Sequence, residues 1–154
     1  MTDEELTALA PLLTKRLPFA SKLRQKQGEF HRGSRQWAFD ALHTGLEDPK
    51  AMQRLFWLKG GAGTGKTAWS AELVRLLQSD DRRAVASTGA LHMCLHSDST
   101  LSDPVSMLLS IAAQLCTNVP GYKEALLEKN GGASGLKELL EAERDLFKLF
   151  DALL

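Results

Sequence analysis

Apolar residues recur at helical spacing along most of this chain, and two short runs break the rhythm. Phe39, Leu42 and Leu46 fall three and four apart with Trp37 and Ala41 beside them. They predict an amphipathic helix capped by Ser34 and closed by the Glu47, Asp48, Pro49 turn. Residues 67–78 return to the same period through Trp69, Leu73, Leu76 and Leu77. Asp103 and Pro104 stand as cap and first position of another helix, with Val105, Leu108, Leu109, Ala112 and Leu115 on one face and Val119, Pro120, Gly121 at its end. A short helix over 122–129 and a break at Asn130, Gly131 and Gly132 come next. Residues 136–154 then predict one long helix with Leu139, Leu140, Phe147, Phe150 and Leu153 apolar.

The two exceptions read as strands. RLFWLK, over 54–59, is a contiguous apolar run that stops abruptly at glycine, the mark of a buried strand. Beyond a solvated SDDRR turn at 79–83, residues 84–96 should hold a second strand, centred on 90–95. Strand, helix, strand in this order crosses over right-handed and makes the strands parallel. The expected fold class is therefore α/β: a partial three-layer α/β/α arrangement with parallel strands and flanking helices. Upstream, TDEE at 2–5 is a capping box before Leu6, Leu9 and Leu13, although Pro11 limits that helix. The basic, weakly patterned stretch 18–33 suits a linker. The expected division is 1–29, helix and linker, and 30–154, the domain.

Composition narrows the function classes. The 154 residues are 44% hydrophobic and 25% charged, the balance of one globular domain. Lys and Arg total 19 against 19 Asp and Glu, so no summed positive field draws nucleic acid or an anionic membrane, and neither is an expected partner. The two cysteines make no disulfide framework, no signal peptide is evident, and no apolar run approaches the roughly 20 residues that span a bilayer. The expected setting is cytoplasmic.

The chemistry sits between the first predicted strand and the helix after it. GGAGTGKT, residues 60–67, matches G-x-x-x-x-G-K-[ST] in the strand-to-helix context the pattern requires. Polyphosphate oxygens must be approached closely by backbone. Gly60, Gly61, Gly63 and Gly65, with Ala62 and Thr64 between them, leave N–H groups bare and allow positive φ. Lys66 should reach the β- and γ-phosphates, and the helix start adds unpaired N–H groups and the positive dipole end. Thr67 should offer its hydroxyl to Mg²⁺. A dinucleotide fingerprint does not fit, because after Gly61 and Gly63 its last glycine would fall on Lys66.

Weaker constellations carry less. His92, Cys94 and His96 alternate and would share one face of a strand, with the ligand types of a zinc site but no evident fourth ligand. Core packing of Cys94 beside partly exposed histidines is the plainer reading. Asp98 follows that strand, as a solvated turn residue or as a group near a metal-bound water. Glu138, Glu141, Glu143, Arg144, Asp145 and Lys148 read as a wet helix face. Hydrolysis at such a loop needs an acid ending a second apolar strand, and none is found. FKLFD, at 147–151, has helical surroundings.

RGSRQWAFDALHTGL followed by RLFWLKGGAGTGKTAWSAELVRLL resembles the start of NACHT-type domains of the STAND class of signal-transduction ATPases. Members show a GTR-like element, an amphipathic helix, an FWL-type strand and the P-loop. ALHMCLHSDSTLSDPVSMLLSIAAQLCTNVPGY looks like the next strand and helix of that class. Met93 stands where an aromatic is usual, and Ser34 intervenes between Gly33 and Arg35. The resemblance implies a P-loop NTPase-like fold and binding of ATP, with GTP possible, together with Mg²⁺. It also implies that Gly33 and Arg35 lie near base and ribose, and that nucleotide state controls oligomerisation. It reads the chain as the N-terminal half of such a module, ending before the Walker B acid, so hydrolysis by the chain alone is not expected.

Two rivals remain. A small P-loop kinase would need lid arginines, for which Arg82 and Arg83 follow the loop helix too soon. An interaction module that self-associates or takes a protein partner without cycling nucleotide would use apolar faces and sheet edges.

Overall fold

The computed structural model describes residues 20–48, 55–78 and 89–154. They fall into two compact units, one within 19–88 and the other within 89–154. The capping box at 2–5, Pro11 and the turn at 79–83 lie outside the described residues.

The first unit contains three helices. α1, Ala20–Gly28, occupies much of the stretch read as a linker. Leu23 is its buried apolar residue among those whose side chains are described, and a single such position announced no periodicity. It packs on α3, Lys66–Gln78, where the Gln27 carboxamide donates to the Ala71 carbonyl at 3.1 Å. α2, Gln36–Glu47, begins one residue later than Ser34 would have it: Arg35 occupies the N-cap with φ 56° and makes no side-chain cap. Ala38 on α2 and Ala68, Trp69, Ala71 and Val74 on α3 are buried. Phe39 stacks on Trp69 with ring centroids 4.8 Å apart, and Phe30 meets Phe39 edge-on at 5.9 Å.

The second unit is built on α4, Pro104–Asn118, with α5, Tyr122–Lys129, α6, Gly132–Ala142, and α7, Leu146–Leu153. Asp103 caps α4 as expected, its carboxylate accepting from the Ser106 amide at 2.7 Å with Pro104 in the first turn. Leu108, Ala112, Ala113 and Cys116 meet Leu126, Leu127, Leu136, Leu149 and Leu153 in one apolar cluster.

The expected long helix over 136–154 is two. Glu143 accepts the amides of Asp145 and Arg144 at 2.8 and 2.9 Å, which holds its carboxyl below the usual range, and Asp145 caps Phe147 and Lys148. The break resets the helical phase. Leu149 and Leu153 turn into the core, while Phe147 and Phe150, expected on the apolar stripe, are 82% and 55% exposed.

The expected α/β class is overturned, because the described residues form helices and no strand. Residues 55–59 run without a ladder partner, and Leu55, Phe56 and Trp57 are exposed. Residues 90–95 likewise pair with no strand. There the Gln114 carboxamide takes both backbone groups of Leu91, accepting its N–H at 2.9 Å and donating to its carbonyl at 2.8 Å. One turn further along α4, Asn118 donates to the Gly89 carbonyl at 2.9 Å. A strand requires lateral partners, and here helix side chains satisfy the backbone groups that a neighbouring strand would otherwise take.

Two predictions follow from this packing. Asp145→Ala removes the α7 cap and should cost about 1 kcal/mol, read as a lowered melting temperature. Burial pushes the Cys116 thiol up to about 11 and the Tyr122 phenol up to about 12. The ordinary values are 9.0 and 10.0, so the unfolded chain sheds these protons first. Their contribution to stability should be whole below pH 9 and decline as pH rises towards 12, with Tyr122→Phe flattening the upper part of that decline in a melt series.

Candidate functional site

Residues 60–65 form a loop, exposed over 60–64 and half-buried at Gly65, that runs directly into α3, whose first residue is Lys66. Gly63 and Gly65 lie at φ 71° and 72°, a region that costs other residues about 1–2 kcal/mol, so these two glycines are what the turn requires. The Thr64 hydroxyl donates back to the Gly61 carbonyl at 2.9 Å and closes the loop. The α3 ladder begins where the Trp69 amide donates to the Gly65 carbonyl at 3.0 Å. Among the described residues, the amides of 61–68 donate to no backbone carbonyl. They are the uncommitted donors of a helix start and the turn before it, together with the positive dipole end.

Two cations attend the loop. Lys66 folds back, its ammonium donating to the Gly60 and Gly61 carbonyls at 2.7 and 2.6 Å. Arg35 reaches in from the start of α2 and donates to the Thr64 carbonyl. The structure thus brings Gly60, Gly61, Ala62, Gly63, Thr64, Gly65, Lys66 and Arg35 together. Thr67 is exposed on the first turn of α3. The Arg35 contact spans 29 residues and left no signal in the sequence beyond the Gly33, Arg35 resemblance.

This arrangement can bind an anion. Residues 60–67 supply backbone donors, two threonine hydroxyls and a mobile cation, groups that can take negative charge. Donors of this kind are the type that phosphate oxygens take. A Mg²⁺ ion accompanying a polyphosphate would take the Thr67 hydroxyl as one oxygen ligand and phosphate and water oxygens as the rest.

A cavity of about 700 Å³ lies within the same unit, with Gly33 and Gln36, which flank Ser34 and Arg35 in sequence, among its lining residues. Phe30, Phe39 and Leu76 give it apolar walls. Glu72, 8% exposed, holds Arg75 through two hydrogen bonds of 2.7 and 2.8 Å, which raise the guanidinium above its ordinary value.

The weaker candidates resolve differently. His92 Nε2 lies 3.0 Å from the Leu101 carbonyl, and Cys94 and His96 are exposed on irregular backbone, so strand alternation does not gather them. Among the described residues no three His, Cys, Asp or Glu side chains converge to hold a metal ion. The Asp98 carboxylate accepts the Thr100 and Leu101 amides at 3.0 and 3.1 Å, as a turn residue does.

A family model described as Nephrocystin 3, N-terminal matches residues 33–154. The chain belongs to this family. The nephrocystin 3 N-terminal match begins two residues before Arg35 and includes the whole loop and every helix from α2 onward, leaving α1 outside it. Comparison with curated proteins and with solved structures gives no match. The finding names a family other than the NACHT domains that the motifs resemble. Among the described residues, no helix is long and apolar enough to cross a membrane.

Gly63→Ala tests the loop geometry. A Cβ at Gly63 would meet nothing within 4 Å, so the expected cost, about 1 kcal/mol, is that of the positive φ alone. A thermal melt against wild type reads it.

Proposed function

We propose that this chain binds the polyphosphate of a nucleoside triphosphate, ATP or GTP, with Mg²⁺, in the loop formed by residues 60–67. The observation that carries this reading is the joint placement of uncommitted amides at 61–68, the positive-φ glycines Gly63 and Gly65, and Lys66 at the first position of α3. In the bound state the amides would face phosphate oxygens and Lys66 would exchange the Gly60 and Gly61 carbonyls for the β- and γ-phosphates. Thr67 would hold Mg²⁺, which supplies charge neutralisation between those phosphates.

The likeness of the motifs to STAND proteins supports a switch, in which nucleotide occupancy changes association with a partner or with a second copy, in a cytoplasmic setting. No acid for hydrolysis is assigned in this chain. The kinase alternative has no support from Arg82 and Arg83, which lie outside the described residues.

A second reading rests on a separate observation. Leu55, Phe56 and Trp57, 81%, 49% and 74% exposed, give an apolar surface that suits a nucleotide-independent interaction module.

A thermal melt separates the two. Mg²⁺ with ATP or GTP at about 100 times its dissociation constant should add roughly 2.7 kcal/mol of stability, and Lys66→Ala should abolish the shift. A wild type that melts cooperatively with no nucleotide shift overturns the first reading and leaves the second.

A further inference from the structure

We propose that Arg35 is a positioning residue that straps the phosphate loop in its binding shape, acting on the Thr64–Gly65 peptide rather than on the nucleotide. The proposal rests on the phosphate reading of residues 60–67 and assigns the arginine a role other than the base and ribose contact that the resemblance implies.

Three observations carry it. Arg35 is the non-glycine residue with positive φ among the described residues, at φ 56° and ψ 32°. It stands at the N-cap of α2, where Ser, Thr, Asp, Asn or Gly would cap better, and its side chain caps nothing. Strained backbone of this kind persists where the surroundings over-determine it. Second, its guanidinium donates to the Thr64 carbonyl, 29 positions along the chain. Third, the guanidinium lies against Gly65. A Cβ placed there would sit 3.0 Å from Nη1, 3.2 Å from Nη2 and 3.5 Å from Cζ. The bareness of Gly65 therefore makes the seat for Arg35, in addition to permitting the turn.

The consequence for binding follows from peptide geometry. In a trans peptide the carbonyl and the following N–H point in opposite directions from one plane. Holding the Thr64 carbonyl on Arg35 fixes the Gly65 N–H away from the guanidinium, as a donor turned towards the free side of the loop. Lys66 does the same for two further peptides through the Gly60 and Gly61 carbonyls, but on a flexible stem that can leave. The two cations divide the work: Lys66 is exchanged onto the ligand, and Arg35 stays. A planar fork packed against Gly65 suits that fixed role, and the point charge of a lysine does not.

The experiment has two arms on the purified chain. In the first, without nucleotide, a thermal-stability cycle combines Arg35→Gly, which removes the side chain without straining the backbone, with Gly65→Ala. Gly65→Ala should lower the melting temperature less in the Arg35→Gly background than in wild type, because the crowded guanidinium is gone. Additive shifts overturn the strap whatever nucleotide does. In the second arm, Mg²⁺–ATP titrations compare wild type, Arg35→Lys and Arg35→Gly. Both variants should weaken binding by about 10-fold, lysine giving no rescue. Wild-type affinity in Arg35→Lys with loss in Arg35→Gly would show charge acting on the ligand and overturn the proposal. Absence of binding in wild type, beside a coupled cycle, would sink the phosphate reading instead and leave the strap as a fact of the free loop.

Discussion

The stack of Phe39 on Trp69 is the contact on which the loop geometry depends. Phe39 lies four residues after Arg35 and Trp69 three after Lys66, so one pair of rings joins α2 to α3 a single turn inside each helix start. With the rings 4.8 Å apart the stack ties α2 to α3 near the start of each, and Arg35 reaches the Thr64 carbonyl. An aromatic pair of this kind contributes about 0.5–1.5 kcal/mol beyond burial of its area. Against it stands the buried Trp69 Nε1, which finds no acceptor among the described residues, at a cost of about 1–3 kcal/mol. Burial of the indole at 5% exposure, among Ala68, Ala71 and Val74, must carry the balance, at about 25 cal/mol per Å² of apolar surface removed from water.

The second unit relies on side chains that end helices. Asp103 and Asp145 cap α4 and α7, and the Glu143 carboxylate gathers the two amides between α6 and α7. Tyr122 does related work at the other end of α7, its phenol donating to the Leu153 carbonyl. That donation requires a protonated phenol, and burial keeps it so, with the neighbouring Cys116 adding to the same direction. The packing of α4, α5 and α7 and the ionisation of these two groups are thus one problem: the cluster that excludes water is also what holds both groups neutral.

Legibility in the sequence followed the range of the forces involved. α3, α4 and α5 were readable because their signals are local: a proline at a first position, an aspartate before it, apolar residues three and four apart. α1 was not, since Leu23 is a single buried apolar position in a polar stretch and its partner surface on α3 lies more than forty residues away. The division at 143–145 carried one signal, Asp145 as a cap, and the continuous helical period over 136–154 concealed it. The two strands failed for a different reason. A run such as LFWL states that a segment is apolar and extended but not that another segment will lie beside it. At 90–95 the lateral partner is Gln114, a side chain that no pattern of strand residues could announce.

The candidate site was more legible than the fold around it, and the contrast has a physical cause. A phosphate group needs bare amides, a cation and the positive end of a helix, and eight consecutive residues supply all three. None of those donors belongs to a sheet. The loss of the expected strands therefore leaves the donor set of residues 60–67 as it was. What those residues could not state is how the loop is kept in shape before a ligand arrives. That depends on Arg35 crossing from another helix, on the missing side chain at Gly65 that admits it, and on the Phe39–Trp69 stack that brings the helix there. Recognition chemistry was written contiguously, and its preorganisation was distributed over the fold.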